Sequence, residues 1–270
     1  MPELPEVETT RRGIAPYIEG KIVKSIIIRQ AKLRWPVPDS LHELEGRKIS
    51  SVTRRAKYLL LQSAKGCVIL HLGMSGSLRI IDASLKAEKH DHIDIILATG
   101  KALRLHDPRR FGAVLWTTND PLQHTLLSKL GPEPLSDAFH APLLYKVSQK
   151  RRVSIKQFIM NAQIVVGVGN IYASESLFMA GISPKTMAGR MSLRRYEKLV
   201  EAIKIILVRA IEQGGTTLRD FVQAEGKPGY FQQQLHVYGR AGEECPVCHS
   251  LIKKITQGQR SSFYCSKCQT

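Results

Sequence analysis

The chain opens Met1-Pro2-Glu3-Leu4-Pro5-Glu6. An initiator Met followed by a small residue such as Pro is normally trimmed, which would leave Pro2 with a free secondary amine. That amine can attack an electrophilic carbon, and its adduct with a sugar aldehyde carbon is an iminium ion. The iminium nitrogen has no proton to lose, so its charge persists and acidifies the neighbouring C–H. Glu3 stands beside it as a proton donor. The run Pro5-Glu6-Val7-Glu8 reads as a helix start, with Arg11, Arg12 and Gly13 at its close. The positive end of such a helix disfavours the ammonium form of Pro2 and keeps the amine nucleophilic near neutral pH. The alternative is that Met-Pro is simply a stable way to begin a protein.

A second chemical cluster lies at the other end. Cys245-x2-Cys248 and Cys265-x2-Cys268 are separated by sixteen residues, within the range of a four-thiolate zinc site. Two knuckles of this kind form a closed tetrahedron, which suits one structural Zn²⁺ with no open position. Cys67, in the apolar run Cys67-Val68-Ile69-Leu70, reads as a small core residue. Between the cysteine pairs, two alternating stretches around Gln257-Gly258-Gln259-Arg260 predict a β-hairpin with Arg260 near its tip.

The elements that must position these groups divide the chain by periodicity. Short β runs fill the first part: Ile22–Ile28, Ile49–Val52, Tyr58–Leu61, Val68–Leu72, Leu78–Ile81, Ile93–Leu97, Ala102–Leu105 and Ala113–Trp116. Breaks at Gly66, Gly73, Gly76 and Gly100 fit turns. Eight strands without long intervening helices predict a β-sandwich or flattened barrel carrying the opening helix. Gly131-Pro132-Glu133-Pro134 marks a linker, after which the period becomes helical over Val153–Asn161, Ile171–Ala180 and Leu193–Glu212. The last helix carries Leu193, Tyr196, Val200, Ile203, Leu207 and Ile211 along one face. The fold class is therefore α+β, with expected boundaries at 1–130 for the sandwich, 131–150 for a linker, 151–235 for a helical domain and 236–270 for the zinc finger.

Composition narrows the partner. With 40 Lys+Arg against 23 Asp+Glu in 270 residues, the formal net charge is +17, which points to a polyanion. Ribosomal and membrane-surface proteins can be equally basic. No segment approaches the apolar length of a transmembrane helix and no signal peptide is evident, so no membrane partner and a cytoplasmic location are expected.

Two loop motifs fit that partner. Val166-Gly167-Val168-Gly169-Asn170 precedes a helix and exposes N–H groups where a phosphate can sit, next to the basic Lys150-Arg151-Arg152. An ordinary helix cap is the alternative. Met74 in His71-Leu72-Gly73-Met74-Ser75-Gly76 and Phe111 in Asp107-Pro108-Arg109-Arg110-Phe111-Gly112 are apolar residues in Gly-rich loops. They could be loop anchors under the sheet. As function, an apolar wedge beside an Arg suits a protein that pries bases apart.

Taken together, these motifs resemble bacterial formamidopyrimidine-DNA glycosylases over essentially the whole chain. The resemblance rests on Pro2 to Glu8, Arg54-Arg55-Ala56-Lys57-Tyr58, His71 to Gly76, Asp107 to Gly112, Val166 to Glu175 and the four cysteines, in the family's order and spacing. It implies a helix–two-turns–helix arrangement in the helical domain, and a monomer acting on double-stranded DNA that contains oxidised purines or abasic sites. The reaction implied is excision of 8-oxoguanine and formamidopyrimidines, followed by strand cleavage through successive eliminations.

In that reading Pro2 is the nucleophile, Glu3 protonates the deoxyribose ring oxygen, Lys57 contacts phosphate and assists proton transfer, and Arg260 holds phosphates and serves the final elimination. Met74, Arg109 and Phe111 fill the space of the everted nucleotide, with Arg109 reading the orphaned cytosine. Asn170, His90 and Arg151 are further DNA contacts. The stretch Gly214-Gly215 to Tyr230 matches a loop that covers the everted base. Two other classes fit part of the pattern. A non-catalytic zinc-finger DNA-binding protein would not need Pro2, Glu3 and Lys57 together. An endonuclease VIII-like glycosylase for oxidised pyrimidines would typically have Gly where this chain has Leu4.

Overall fold

The computed structural model describes residues 2–214 and 235–270. The chain divides into two compact units, one of Met1–Lys129 with Gln213–Gln232, the other of Leu130–Glu212 with Gln233–Thr270.

The first unit is a sandwich of two antiparallel four-stranded sheets. Its strands are β1 (Val23–Ile28), β2 (Ile49–Arg55), β3 (Tyr58–Ser63), β4 (Cys67–His71), β5 (Ser77–Asp82), β6 (Asp91–Leu97), β7 (Lys101–His106) and β8 (Ala113–Thr117). One sheet has the order β1-β6-β7-β5 and the other β2-β3-β4-β8. Alternation sets the inner faces: Leu59 and Leu61, Val68 and Leu70, Ile93 and Ile95, and Leu103 and Leu105 all enter one core. In β1 and β2 the buried residues are three apart, Val23 with Ile26 and Ile49 with Val52. A register shift inside each of these intervals restores the inward face.

Helix α1 (Leu4–Ile18) packs against β2, β3 and β5. It does not stop at Gly13, where the sequence suggests its close, but continues through Pro16. Ile14 and Ile18, one turn apart, are both fully buried. Two such burials contribute about 3–6 kcal/mol, comparable to the combined cost of roughly 1 kcal/mol for Gly and 3 for Pro in a helix. Hydrogen bonds fix the helix on β2: Arg11 donates to Val52 O, Arg54 donates to Glu8, and Val52 N donates to Glu19.

The second unit is built on α2 (Ala141–Ser148), α3 (Ile155–Ile159), α4 (Asn170–Met179) and α5 (Leu193–Glu212). Helix α2 falls inside the segment expected to be a linker. His140 caps it by accepting from Leu143 N, Pro142 lies in its first turn, and the fully buried Leu144 faces α5. Along α5 the expected face is buried from Tyr196 to Ile211, but Leu193 is 38% exposed because it is the first residue of the helix. The hairpin β9 (Lys253–Gln257) and β10 (Arg260–Tyr264) packs on α4 through Phe178, Val237, Ile252 and Phe263. No helix among the described residues is long and apolar enough to cross a membrane.

Candidate functional site

Pro2 is buried at the head of α1, and Glu3 is the residue that caps this helix. The Glu3 N–H donates to Glu6 Oε2 over 2.7 Å, and the Glu3 side chain accepts from the backbone N–H of Glu6 in return. This reciprocal box fixes the backbone on which Pro2 is carried. Glu3 is only 3% exposed, so its carboxyl sits in a water-poor setting.

Lys57 occupies the two-residue turn between β2 and β3, after Ala56, whose φ is +55°. Across the turn, Tyr58 pairs with His71 of β4, and their rings lie 4.8 Å apart. Burial, with the nearby charges of Lys57 and Arg34, pushes the His71 imidazole down to about 4. It is therefore neutral at pH 7, and its Nδ1 accepts the Gly73 N–H over 2.9 Å. That bond starts the turn that presents Met74.

Met74 and Phe111 are 36% and 44% exposed. Neither is buried beneath the sheet, so the loop-anchor alternative does not describe them. The Arg109 guanidinium lies 5.0 Å from the centre of the Phe111 ring. The two loops are stitched by residues that sequence reading does not single out. The fully buried Asp107 accepts from Ser75 Oγ and from Gly112 N, while Ser75 Oγ accepts the Arg109 N–H. Gly73 permits the approach, since a Cβ there would lie 2.3 Å from the Phe111 carbonyl carbon.

His90 is joined to the same loops, because its carbonyl accepts the Asp107 N–H and its ring lies 5.8 Å from that of His106. The loop bearing it is held by a buried ionic network. Arg104 grips Asp94 through two bonds and also reaches Asp91 and the carbonyls of Leu85 and Lys86. Burial pushes the Asp91 and Asp94 carboxyls up. Opposing bonds from Glu88 N and His106 to Asp91, and from Arg104 and Arg29 to Asp94, outweigh it, so both lie below the usual range.

The second unit holds Arg151, Asn170, Arg260 and the four cysteines. The helix expected after Asn170 begins at Asn170 itself, with Gly169 as its cap, and the Asn170 side chain is occupied. Asn170 Oδ1 accepts from Lys156 Nζ over 2.7 Å and Nδ2 donates to Ser261 O over 3.0 Å. Lys156, 2% exposed, also donates to Ser261 O and Ser262 Oγ. One buried ammonium thus locks Asn170 to the strand that starts at Arg260. Arg260 is exposed and closes a turn in which Gly258 and Gln259 both have positive φ, the geometry of a tight two-residue hairpin. Glu175, 1% exposed, accepts three consecutive backbone N–H groups from His236, Val237 and Tyr238. It anchors the chain where it enters the finger.

The four cysteine sulfurs lie within 4.8 Å of one another, with Cys245 to Cys268 at 3.8 Å and Cys248 to Cys265 at 3.4 Å. A tetrahedral zinc with Zn–S bonds near 2.3 Å requires sulfurs about 3.8 Å apart. The donor set fits, and these residues form the site of one structural zinc ion. Cys67 is buried and apart from them in β4.

Five non-glycine residues among those described have a left-handed backbone: Ala56, Arg110, Lys150, His249 and Gln259. Each adjoins a candidate site residue, respectively Lys57, Arg109 with Phe111, Arg151, Cys248 and Arg260. Such conformations cost about 1–3 kcal/mol each and persist where the surroundings enforce them. Here the strained positions coincide with the loops that aim candidate side chains. Residues 215–230 of the expected base-covering loop, and Met1, lie outside the described residues.

Comparison with known proteins agrees with this fold. Residues 1–114 match the family model for the formamidopyrimidine-DNA glycosylase N-terminal domain, 130–222 its H2TH domain, and 242–270 the zinc finger found in FPG and IleRS. The chain is 59% identical over 270 residues to a formamidopyrimidine-DNA glycosylase of Pseudomonas aeruginosa, covering 100% of both chains. A Lactococcus lactis Fpg variant in complex with Fapy-dG-containing DNA superposes with a TM-score of 0.92 at 33% identity, covering 99% of each chain. The Lactococcus lactis Fpg complex with DNA containing an abasic site gives 0.91 at 33% identity and the same coverage. Sequence, fold and the zinc-binding cysteines thus converge, and the chain belongs to the formamidopyrimidine-DNA glycosylase family.

Proposed function

We infer that this protein is a bifunctional DNA glycosylase and abasic-site lyase that excises oxidised purines from duplex DNA. The observation that carries the reading is Pro2 at the positive end of α1, next to a Glu3 whose backbone is pinned by Glu6. Once Met1 is removed, the Pro2 nitrogen attacks C1′ and the bond to the damaged base breaks. Glu3 gives a proton to the ring oxygen as the C1′–O bond opens, leaving an iminium ion between Pro2 and C1′. Loss of the C2′ proton then expels the 3′ phosphate, and a second elimination expels the 5′ phosphate. Low exposure of Glu3 supports its delivering a proton rather than exchanging it freely with water.

The remaining candidates serve to bind and deform the substrate. Everting a base costs a few kcal/mol of unstacking. Exposed Met74 and Phe111, with Arg109 stacked on the ring, are suited to refill the gap, and the acceptor edge of cytosine suits the Arg109 donors. Lys57, His90, Arg151, Asn170 and Arg260 contribute phosphate contacts. The known complexes of the Lactococcus lactis relative with Fapy-dG and abasic-site DNA support this substrate class.

The test is base release and strand scission on matched duplexes carrying 8-oxoguanine or an oxidised pyrimidine. The reading expects rapid release of 8-oxoguanine with cleavage on both sides of the lesion. Preference for the pyrimidine would move the protein to the endonuclease VIII-like class. Binding without release would make it a non-catalytic DNA-binding protein.

A further inference from the structure

Between the loop that follows α2 and the short 3-10 turn Ala188–Arg190 lies an open cavity of about 520 Å3. It is lined by Lys150, Arg151, Arg152, Met187, Gly189 and Arg190, none of which takes part in the zinc site or in the Lys156–Asn170 cluster. Four of the six lining residues are cations. Among the described residues none of these four has a side-chain hydrogen bond or ion pair within the chain. Elsewhere the protein neutralises clustered arginines: Arg29, Arg79 and Arg104 each sit on Asp91 or Asp94. Four unneutralised cations around one concavity repel one another unless an anion is brought to them.

The walls of the cavity are fixed by backbone rather than by flexible side chains. Gly189 N donates to Arg151 O over 3.0 Å, Arg151 N to Ser148 O over 2.9 Å, and Ala188 N to Val153 O over 3.0 Å. The buried Tyr196 hydroxyl holds Ala188 O from beneath. A Cβ on Gly189 would lie 2.8 Å from Arg151 O, so the two turns meet as closely as glycine allows. Lys150, at φ +64°, turns the chain so that the next two arginines leave it at the rim.

Met187 is the one apolar side chain among the lining residues. No aromatic ring lines the cavity to hold a base, whereas the forked donors and positive charge that a phosphodiester needs are abundant. The mouth is open, which suits a strand passing through better than a small molecule enclosed. We propose that this cavity is an additional phosphate subsite, in which Arg152 and Arg190 seat a backbone phosphate of duplex DNA outside the lesion. The proposal rests on the DNA-repair reading and extends the phosphate contact already given to Arg151 to its neighbours Arg152 and Arg190.

The experiment measures affinity for an undamaged duplex and for one with a tetrahydrofuran abasic analogue, across a salt series. Wild type is compared with Arg152→Gln/Arg190→Gln and with Arg152→Lys/Arg190→Lys. Each phosphate left without its cation makes the slope of log K against log salt shallower by about 0.9. The Gln pair is expected to lower the slope by about 0.9 on both duplexes, and the Lys pair to keep the wild-type slope because its charge is unchanged. An unchanged slope in the Gln pair overturns the proposal. An equal reduction in the Lys pair also overturns it, because packing and not charge would then be responsible. Saturable binding of inorganic phosphate by wild type, with the DNA slope unaffected in the Gln pair, would assign the cavity to a free anion instead. If wild type itself bound duplex without salt dependence, the DNA reading would fail before this subsite was at issue.

Discussion

Ser75 Oγ donates to Asp107 Oδ1 over 2.8 Å and accepts the Arg109 N–H over 3.2 Å. This one hydroxyl joins the loop that presents Met74 to the loop that presents Arg109 and Phe111. Ser75→Ala leaves the buried Asp107 short of a donor, at a cost of about 1–3 kcal/mol. The expected result is a lower melting temperature together with weaker binding to an abasic-analogue duplex. Unchanged binding by the folded variant would mean that the loops hold their arrangement without the bridge.

Exposure separates wedge from core. Phe111 is 44% exposed, so Phe111→Ala should shift the melting temperature little, whereas a buried Phe→Ala costs about 3–5 kcal/mol. Excision at 8-oxoguanine opposite cytosine should fall, because unstacking is no longer offset. Arg109→Ala should narrow the preference for cytosine over adenine opposite the lesion. Melting curves and the cytosine-to-adenine excision ratio check both, and an unchanged ratio removes Arg109 from opposite-base reading.

Stability should decline toward acid in two stages. His71 is held down to about 4 from an ordinary 6.5 by burial and by the charges of Lys57 and Arg34. The unfolded chain therefore takes up a proton that the folded one refuses, and stability is lost as pH falls from about 6.5 to 4. Burial raises Glu8, but its bonds to Arg11 and Arg12 prevail and leave it at about 2. Its contribution is present above about 4.5 and disappears as pH falls toward 2. Melting temperature against pH should show both limbs, and His71→Asn should remove the upper one. Persistence of that limb in His71→Asn would assign it to another group.

Much of this architecture is legible in the chain. Short β runs between turn residues mark the eight sandwich strands, and the cysteine spacing marks the zinc site, because both depend on neighbours in sequence. What stays hidden depends on neighbours in space. Lys156 reads as an ordinary surface lysine until Asn170, Ser261 and Ser262 are seen around it. Glu175 likewise gives no sign that it gathers three N–H groups some sixty residues away. Helix α2 escapes a sequence reading because Pro132, Pro134 and Pro142 make its surroundings resemble a linker, although Pro142 lies in its first turn. The glycine at position 13 suggests a helix end that burial of Ile14 and Ile18 overrides.

The central claim is that Pro2 is the nucleophile. Borohydride reduction of the protein reacting with an 8-oxoguanine:cytosine duplex should trap a covalent complex, and mass spectrometry of the digested peptide locates the bond. The account predicts attachment at the Pro2 nitrogen, and no trapping by protein that retains Met1, whose presence turns that amine into an amide. A crosslink on Lys57 or another lysine, with none on Pro2, would contradict it.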